Sequence, residues 1–375
     1  MNPFAKLSNM LKLGSTPSSV VGVDIGSSFV KAVQLKKKGS KAVLETYGEL
    51  ALGPLAGLEV GQATNLPAEK IVEAITDLFK EANITSRDVV FSIPLTATML
   101  SVIQLPDLGQ VKLDQMVPIE ARKYIPTSIS EVALNWWVIP KMNRVYKDPD
   151  KEAPKAESPM TDVLIAAIHN EAIAKFEAIK KGIGLSSALL EIEIFSSIRS
   201  VIGHDLTPIM TIDMGAGATK LAMIEYGVVR TSPHIINMGS QDITLALSKS
   251  LGITVADAEQ LKRETGLSRK DVNGKNVNDI ISLTLDNIFG EAKRVLVNYQ
   301  KRYNKTVSKI ILTGGGVLLK GLPAVATKNF EAEVVLGDPF SKIDAPAFLG
   351  STLRENGPEF AVAIGLALKA MRGDK

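Results

Sequence analysis

Two stretches of the chain, VGVDIGSSFVKAVQL at residues 21–35 and MTIDMGAGATKLAMI at residues 210–224, follow one plan. An apolar strand ends in Asp-x-Gly, a short turn rich in small residues follows, and a second apolar strand leaves it. Aligned on their acids, Asp24 meets Asp213, Gly26 meets Gly215 and Lys31 meets Lys220. A strand–turn–strand unit repeated at so wide a separation, each copy opening its own run of strands and helices, implies a duplicated α/β fold. Two similar halves then face each other across a cleft.

The residue types at these turns carry a chemistry. Glycine and serine allow successive backbone N–H groups to converge into a concave nest that holds phosphate oxygens. In the first copy Gly26, Ser27 and Ser28 supply that nest and two hydroxyl donors, and Lys31 adds an ammonium for a polyphosphate. Asp24 and Asp213 are hard oxygen ligands suited to Mg²⁺ through its waters. A third glycine cluster, TGGGVLLKGLP at 313–323, follows a strand and precedes a helix, where backbone can approach an adenine ring or a phosphate. A single D-x-G turn is often only a hairpin with a capping acid. Two in register, each with its lysine and with GGG downstream, are harder to explain as unrelated turns.

Composition narrows the alternatives. The 375 residues are 45% apolar, enough for more than one core. A net charge of +3 with acids and bases interspersed, and few aromatics, gives no nucleic-acid footprint. The absence of cysteine excludes disulfides and thiolate chemistry, and His169, His204 and His234 lack a metal-ligand spacing. No stretch approaches the roughly 18 apolar residues of a membrane span and no secretory pattern opens the chain, so a cytoplasmic location is expected. As a helix, MNPFAKLSNMLKLG would place Phe4, Leu7, Met10 and Leu11 on one side. It reads either as a frayed or docked terminus or as a weak interfacial or partner-binding helix.

After the linker STPSS at 15–19, three strands are expected through residue 52, then a helix begun by Pro67 and carried by Ile71, Ala74, Ile75, Leu78 and Phe79. DVVFSIP, ATMLSVIQLP and ISEVALNWWVI read as strands around a helix interrupted by Pro118. Residues 142–160 are polar and proline-bearing and read as a mobile hairpin loop. Further on come the strand TDVLIAAI, a helix over 170–181, the strand SSALLEI and a helix through IFSSIRSV. Three strands from Pro208, a mainly helical region over 238–305 and an alternating strand–helix end complete the chain.

With D-x-G-S-x-x-x-K at 24–31, D-x-G-x-G-x-T at 213–219 and GGG at 314–316 followed by Gly321, the sequence resembles the actin, Hsp70 and sugar kinase ATPase superfamily. DIGSSFVKAVQL, AEQLK at 258–262 and EFAVAIGLAL at 359–368 make it most similar to the FtsA and PilM branch, and within that to the PilM family of type IV pilus assembly. The resemblance implies actin-like, ribonuclease H-like duplicated domains around a nucleotide cleft, with an FtsA-type 1C subdomain inserted in the first half. The implied divisions are 1–17 as a tail, 18–84 and 169–206 as subdomain 1A, and 85–168 as 1C. Residues 207–237 and 306–375 would be 2A, and 238–305 would be 2B.

Carried over by position, the resemblance implies ATP and Mg²⁺ as cofactors. Gly215, Ala216, Gly217 and Thr219 would form the second phosphate loop, and Gly314, Gly315 and Gly316 the adenosine motif. Glu259 and Lys262, and likewise Glu291 and Arg294, would lie near ribose and adenine. Glu191 would sit near the γ-phosphate as a catalytic group, with Glu193 the competing choice. Ala216 stands where actin has an acid, so nucleotide binding is expected and at most slow hydrolysis. The implied partners are the N-terminal tail peptide of a PilN-type protein, held in a groove by subdomain 1C, the pilus assembly ATPases and inner-membrane platform proteins, with self-association open. That reading implies peripheral association with the inner membrane through partners. An FtsA-like division anchor, a type II secretion component or a small-molecule kinase are the alternative readings.

Overall fold

The structure, a computed structural model, describes residues 18–107, 109–140, 160–203, 205 and 207–372. The N-terminal tail of residues 1–17, nearly all of the loop at 142–160 and His204 lie outside them.

The first half begins with an antiparallel meander, β1 (Ser19–Ile25), β2 (Phe29–Lys38) and β3 (Lys41–Ala51), whose alternation sends side chains to two covered faces. Val21 and Val23 point to the core shared with helix α1 (Ala68–Glu81), through its Ile71, Ala74, Ile75 and Leu78. Val20, Val33 and Leu35 point to the other face. Pro67 occupies the N-cap of α1 rather than its first helical position. Strand β4 (Val89–Ile93) then pairs parallel to β1.

An inserted subdomain follows: β5 (Thr98–Pro106), α2 (Gln110–Ala121, containing Pro118), β6 (Val132–Val138) and β7 (Met160–His169). Its antiparallel sheet runs β5-β7-β6 over a separate core of Ile103, Leu105, Leu113, Val117, Ile125, Val163 and Ile165. The chain returns through α3 (Asn170–Gly182) to β8 (Leu189–Ile192), which closes the first sheet in the order β3-β2-β1-β4-β8, and continues as α4 (Glu193–Val201). The insertion expected from residue 85 therefore starts after Ile93, because β4 is hydrogen-bonded between β1 and β8.

The second half repeats this plan. Strands β9 (Ile209–Met214), β10 (Thr219–Glu225), β11 (Val228–Val229) and β12 (His234–Ile236) precede α5 (Ser240–Leu251), α6 (Val255–Thr265), a hairpin of β13 (Asp271–Val272) and β14 (Lys275–Asn276), and the long α7 (Val277–Tyr303). Strands β15 (Lys309–Thr313) and β16 (Glu333–Leu336), with α8 (Leu322–Asn329) between them, complete a sheet ordered β11-β10-β9-β15-β16, with β12 also on β10. After α9 (Gly350–Asn356) the chain ends in α10 (Ala361–Arg372).

Helix α10 was expected with the second half, yet it packs on the first sheet. Ala363, Ile364, Leu366 and Ala367 are fully buried against Val20, Val33, Leu35 and Val90. A helix apolar on every side needs cover on every side, and the open face of the first sheet provides one wall and α4 the other. Helix α4 reaches the opposite way: Ile194, Ile198 and Ile202 share a core with Ile209, Ile224 and Ile311, and Lys342 Nζ donates to the Ile202 carbonyl at 2.8 Å. Both walls of α10 are met through glycine. A Cβ on Gly22 would lie 2.0 Å from the Ala363 carbonyl oxygen, and one on Gly365 1.8 Å from that of Ser196.

Gly365→Ala is therefore expected to lower unfolding stability by about 2–4 kcal/mol, because backbone must separate to admit the methyl group. Gly290→Ala, on α7 with nothing within 4 Å, should raise it by about 0.5–1 kcal/mol. Urea unfolding midpoints of the two variants against the parent check both signs.

Candidate nucleotide cleft

The duplicated stretches fold as one hairpin used twice. In the first, Asp24 pairs with Lys31 and Ile25 with Val30, and the Gly26 N–H donates to the Phe29 carbonyl at 3.0 Å. In the second, Asp213 pairs with Lys220 and Met214 with Thr219, and the Gly215 N–H donates to the Ala218 carbonyl at 2.9 Å. Both turns open on a single cleft of about 1160 Å³. They meet across it: a Cβ on Gly217 would lie 3.7 Å from Ser27 Oγ. Thr219 lies behind its turn, fully buried, its hydroxyl donating to the Met238 carbonyl at 2.8 Å.

The carboxylates and lysines form a linked network. Ser92 Oγ, buried on β4, donates to Asp24 Oδ1 at 2.7 Å. Burial and the neighbouring Glu193 push Asp24 up to about 6, against Ser92, Lys220 and Lys31. Lys220 Nζ lies 2.8 Å from Glu193 and 3.7 Å from Asp213. Burial works against the Lys220 ammonium, but Glu193 and Asp213 outweigh it and hold its pKa above the usual lysine range. Burial raises Asp213 despite Lys220. Glu193 also accepts the Leu95 N–H at 2.5 Å.

The third glycine segment closes the floor. Gly314, at φ +86°, has its would-be Cβ 2.4 Å from Asp213 Oδ1, and its N–H donates to the Pro358 carbonyl at 2.9 Å. A Cβ on Gly316 would strike Met214, whereas one on Gly315 would make ordinary contact with Glu359, whose Oε2 would lie 3.5 Å away. Only backbone fits at 314 and 316, as a close-approach surface requires.

Glu259 and Lys262 of α6 lie 2.6 Å apart at the wall of the second half, joined by Thr244 and Arg263. Burial raises Glu259, but Lys262, Thr244 and Arg263 more than reverse it; burial lowers Lys262 in spite of Glu259. A segment between β3 and α1 reaches over to this wall. The Ala63 N–H donates to Gln241 Oε1 at 2.9 Å, and a Cβ on Gly61 would sit 2.9 Å from the Glu259 carboxyl.

Besides Thr219, three expected site residues fall outside the cleft. Glu191 is bound by Arg199 at 2.6 and 2.8 Å, by Ser196 and by Lys369 at 3.0 Å, and does not line the cleft. The strand ends between it and Glu193, so the next turn of chain sends Glu193 to the cleft and Glu191 into the contact with α10. Glu291 and Arg294 pair with each other on α7, beside His234 and open to solvent, outside the cleft. Conversely, Glu49, Ser92, Gln241, Arg263 and Glu359 were not anticipated. Glu49 carried a signal, since it lies opposite Lys31 in the β2–β3 ladder, and so did Arg263, one turn from Glu259 on α6; Ser92, Gln241 and Glu359 come from elements remote in sequence.

The donor set fits Mg²⁺ with waters and phosphate oxygens. Among the described residues no three His, Cys, Asp or Glu side chains converge into a protein-only metal cage. Because Asp24 holds its proton more tightly folded than unfolded, its burial costs stability increasingly as pH rises from about 4 to about 6. Asp24→Asn should stabilise the nucleotide-free protein at neutral pH by roughly 1–2 kcal/mol, seen as a higher melting temperature, and the gain should vanish below about pH 4. Thermal melts across that range read it directly.

The family model described as type IV pilus assembly protein PilM matches residues 22–371. The cell division protein FtsA of Neisseria meningitidis serogroup B is 25% identical over 379 residues, covering 92% of this chain and 88% of the relative. FtsA of Rhizobium meliloti is 27% identical over 184 residues, 42% of this chain and 39% of that relative. Among solved structures, the PilM-PilN type IV pilus biogenesis complex matches at TM-score 0.78 and 25% identity over 95% of this chain and 99% of that one. The ethanolamine utilization protein EutJ from Carboxydothermus hydrogenoformans, at TM-score 0.50 and 15% identity over 98% and 97%, shares the fold. Among the described residues no helix is long and apolar enough to cross a membrane. With its two hairpins opposed across one cleft and a family match over nearly its whole length, the chain has the actin-like ATPase fold and belongs to the PilM family of type IV pilus assembly proteins.

Proposed function

We propose that the protein is an ATP-binding adaptor of pilus assembly, which holds the cytoplasmic N-terminal tail of a PilN-type membrane protein and links it to the assembly machinery. The observation that carries the nucleotide reading is the repeated hairpin: two turns of small residues, each with an Asp–Lys pair in register, meeting at one cleft beside Gly314. Gly26, Ser27 and Ser28 would hold phosphate oxygens from one side and Gly215, Ala216 and Gly217 from the other. Gly315 would lie against the base, and Glu259 and Lys262 near the ribose.

Asp24 and Asp213 would hold Mg²⁺ through its waters, and the ion would neutralise phosphate charge. Glu193 is the carboxylate placed to orient a water, but Lys220 and the Leu95 N–H already occupy both its oxygens. Ala216 adds no polar group. Positioning of a nucleophile is what phosphoryl transfer to water demands, so turnover is at most slow.

The partner reading draws on the inserted subdomain. Strand β6 pairs only with β7 among the described strands, leaving an edge beside the half-exposed Trp137 and Val138. An extended peptide can be held by main-chain hydrogen bonds along such an edge. The matched solved structure is named as a PilM-PilN complex. Peripheral attachment at the inner membrane, with contacts to the assembly ATPases and platform proteins, would follow from that partner. The relative named cell division protein FtsA is what supports the alternative division reading.

Asp24→Ala and Asp213→Ala should each lower ATP affinity by about 10–100-fold with magnesium present and leave the fold intact, as read by calorimetry and circular dichroism. Titration of the parent protein with a PilN-type tail peptide should give saturable binding that differs with and without Mg²⁺-ATP. No binding in either condition by a folded, ATP-loaded protein would overturn the adaptor reading.

A further inference from the structure

The duplication extends to a third residue in each half. Helix α4 leaves the first half and opens with Glu193, whose Oε2 lies 2.8 Å from Lys220 of the second hairpin. Helix α10 leaves the second half and is entered through the 3-10 turn Gly357–Phe360, whose Glu359 has its Oε2 3.5 Å from Lys31 of the first hairpin. The two crossing helices thus each deliver one carboxylate to the hairpin lysine of the opposite half. Nothing in the sequence spacing of the hairpins announces this, because the partner comes from the exchanged helix.

We infer that Glu359 is the pseudo-symmetric counterpart of Glu193 and a positioning residue for Lys31: a built-in anion that holds the lysine at the first turn and that an incoming polyphosphate displaces. The inference rests on the nucleotide reading of the cleft. Lys31 is buried between Glu359 and Glu49, the latter at 3.2 Å, so one cation faces two carboxylates. That arrangement repels further negative charge until one carboxylate withdraws. Glu359 is the one an incoming ligand would meet: its carboxylate lies against the third glycine segment, with Oε2 3.5 Å from where a Cβ on Gly315 would be, whereas Glu49 stands opposite Lys31 in the strand ladder with its side chain more open to solvent. Burial, with Glu49 adding to it and Lys31 opposing, raises the affinity of Glu359 for a proton, which eases the loss of its charge. Its displacement would also reach the third glycine segment, since the Pro358 carbonyl of the same turn accepts the Gly314 N–H.

Glu359→Gln keeps the shape and removes the charge. Calorimetric titration of the full chain with Mg²⁺-ATP should show affinity raised at least fivefold. In a Lys31→Met background the same substitution should change affinity by less than twofold, because the lysine through which it acts is gone. Glu359→Asp, which shortens the reach to Lys31, should move affinity in the same direction by less. Unchanged or weaker ATP binding by Glu359→Gln, or an equal gain without Lys31, would overturn the inference while leaving the nucleotide reading intact. A parent protein that is folded and binds no Mg²⁺-ATP would instead remove the nucleotide reading, and this inference with it.

Discussion

The structure depends on backbone meeting backbone at two glycines. Gly22 lets α10 lie directly on β1, and Gly365 lets the same helix press against α4 at Ser196. Without Cβ atoms at these positions the helix would stand away from both walls, and the apolar side chains of α10 would lose their cover. Side chains beyond the β-carbon interdigitate and can repack; backbone at less than van der Waals distance from a methyl group cannot. The close seating of α10 on the first sheet follows from this fixed crossing.

Around the cleft the ruling consideration is charge brought out of water. Asp24, Asp213, Glu193, Glu49, Glu359 and Glu259 share the space with Lys31, Lys220, Lys262 and Arg263. Burial alone would neutralise such groups. Pairing holds some in place, as with Lys220 between Glu193 and Asp213, and leaves others strained toward protonation, as with Asp24 and Glu359. Such a mixture of buried cations and carboxylates is what the proposed metal–polyphosphate ligand, which carries both signs, would meet.

Much of the fold was legible because its signals are local. A strand buried on both faces must be apolar throughout, a helix on a sheet must show its stripe, and the D-x-G turns mark the strand ends; all of these appear in the structure where residue pattern put them. The boundary of the inserted subdomain was misplaced, because β4 looks the same whether it pairs with β1 or opens a new sheet. The choice between Glu191 and Glu193 turned on one residue, the point at which β8 gives way to α4. Glu291 and Arg294 share a helix face, and that spacing serves a solvent-exposed pair as well as a ligand site.

The sequence by itself determined that there are two similar α/β units, that each carries an Asp–turn–Lys hairpin, and that a third glycine segment allows close approach. Those facts reside in neighbouring residues and their conformational preferences. Only the tertiary structure decided that α4 and α10 exchange halves, that Glu193 and Glu359 thereby meet Lys220 and Lys31, and that the segment around Gly61 to Thr64 spans the cleft to α5 and α6. These contacts join residues far apart along the chain, and what selects them is the burial of whole apolar surfaces, which no short stretch of sequence encodes.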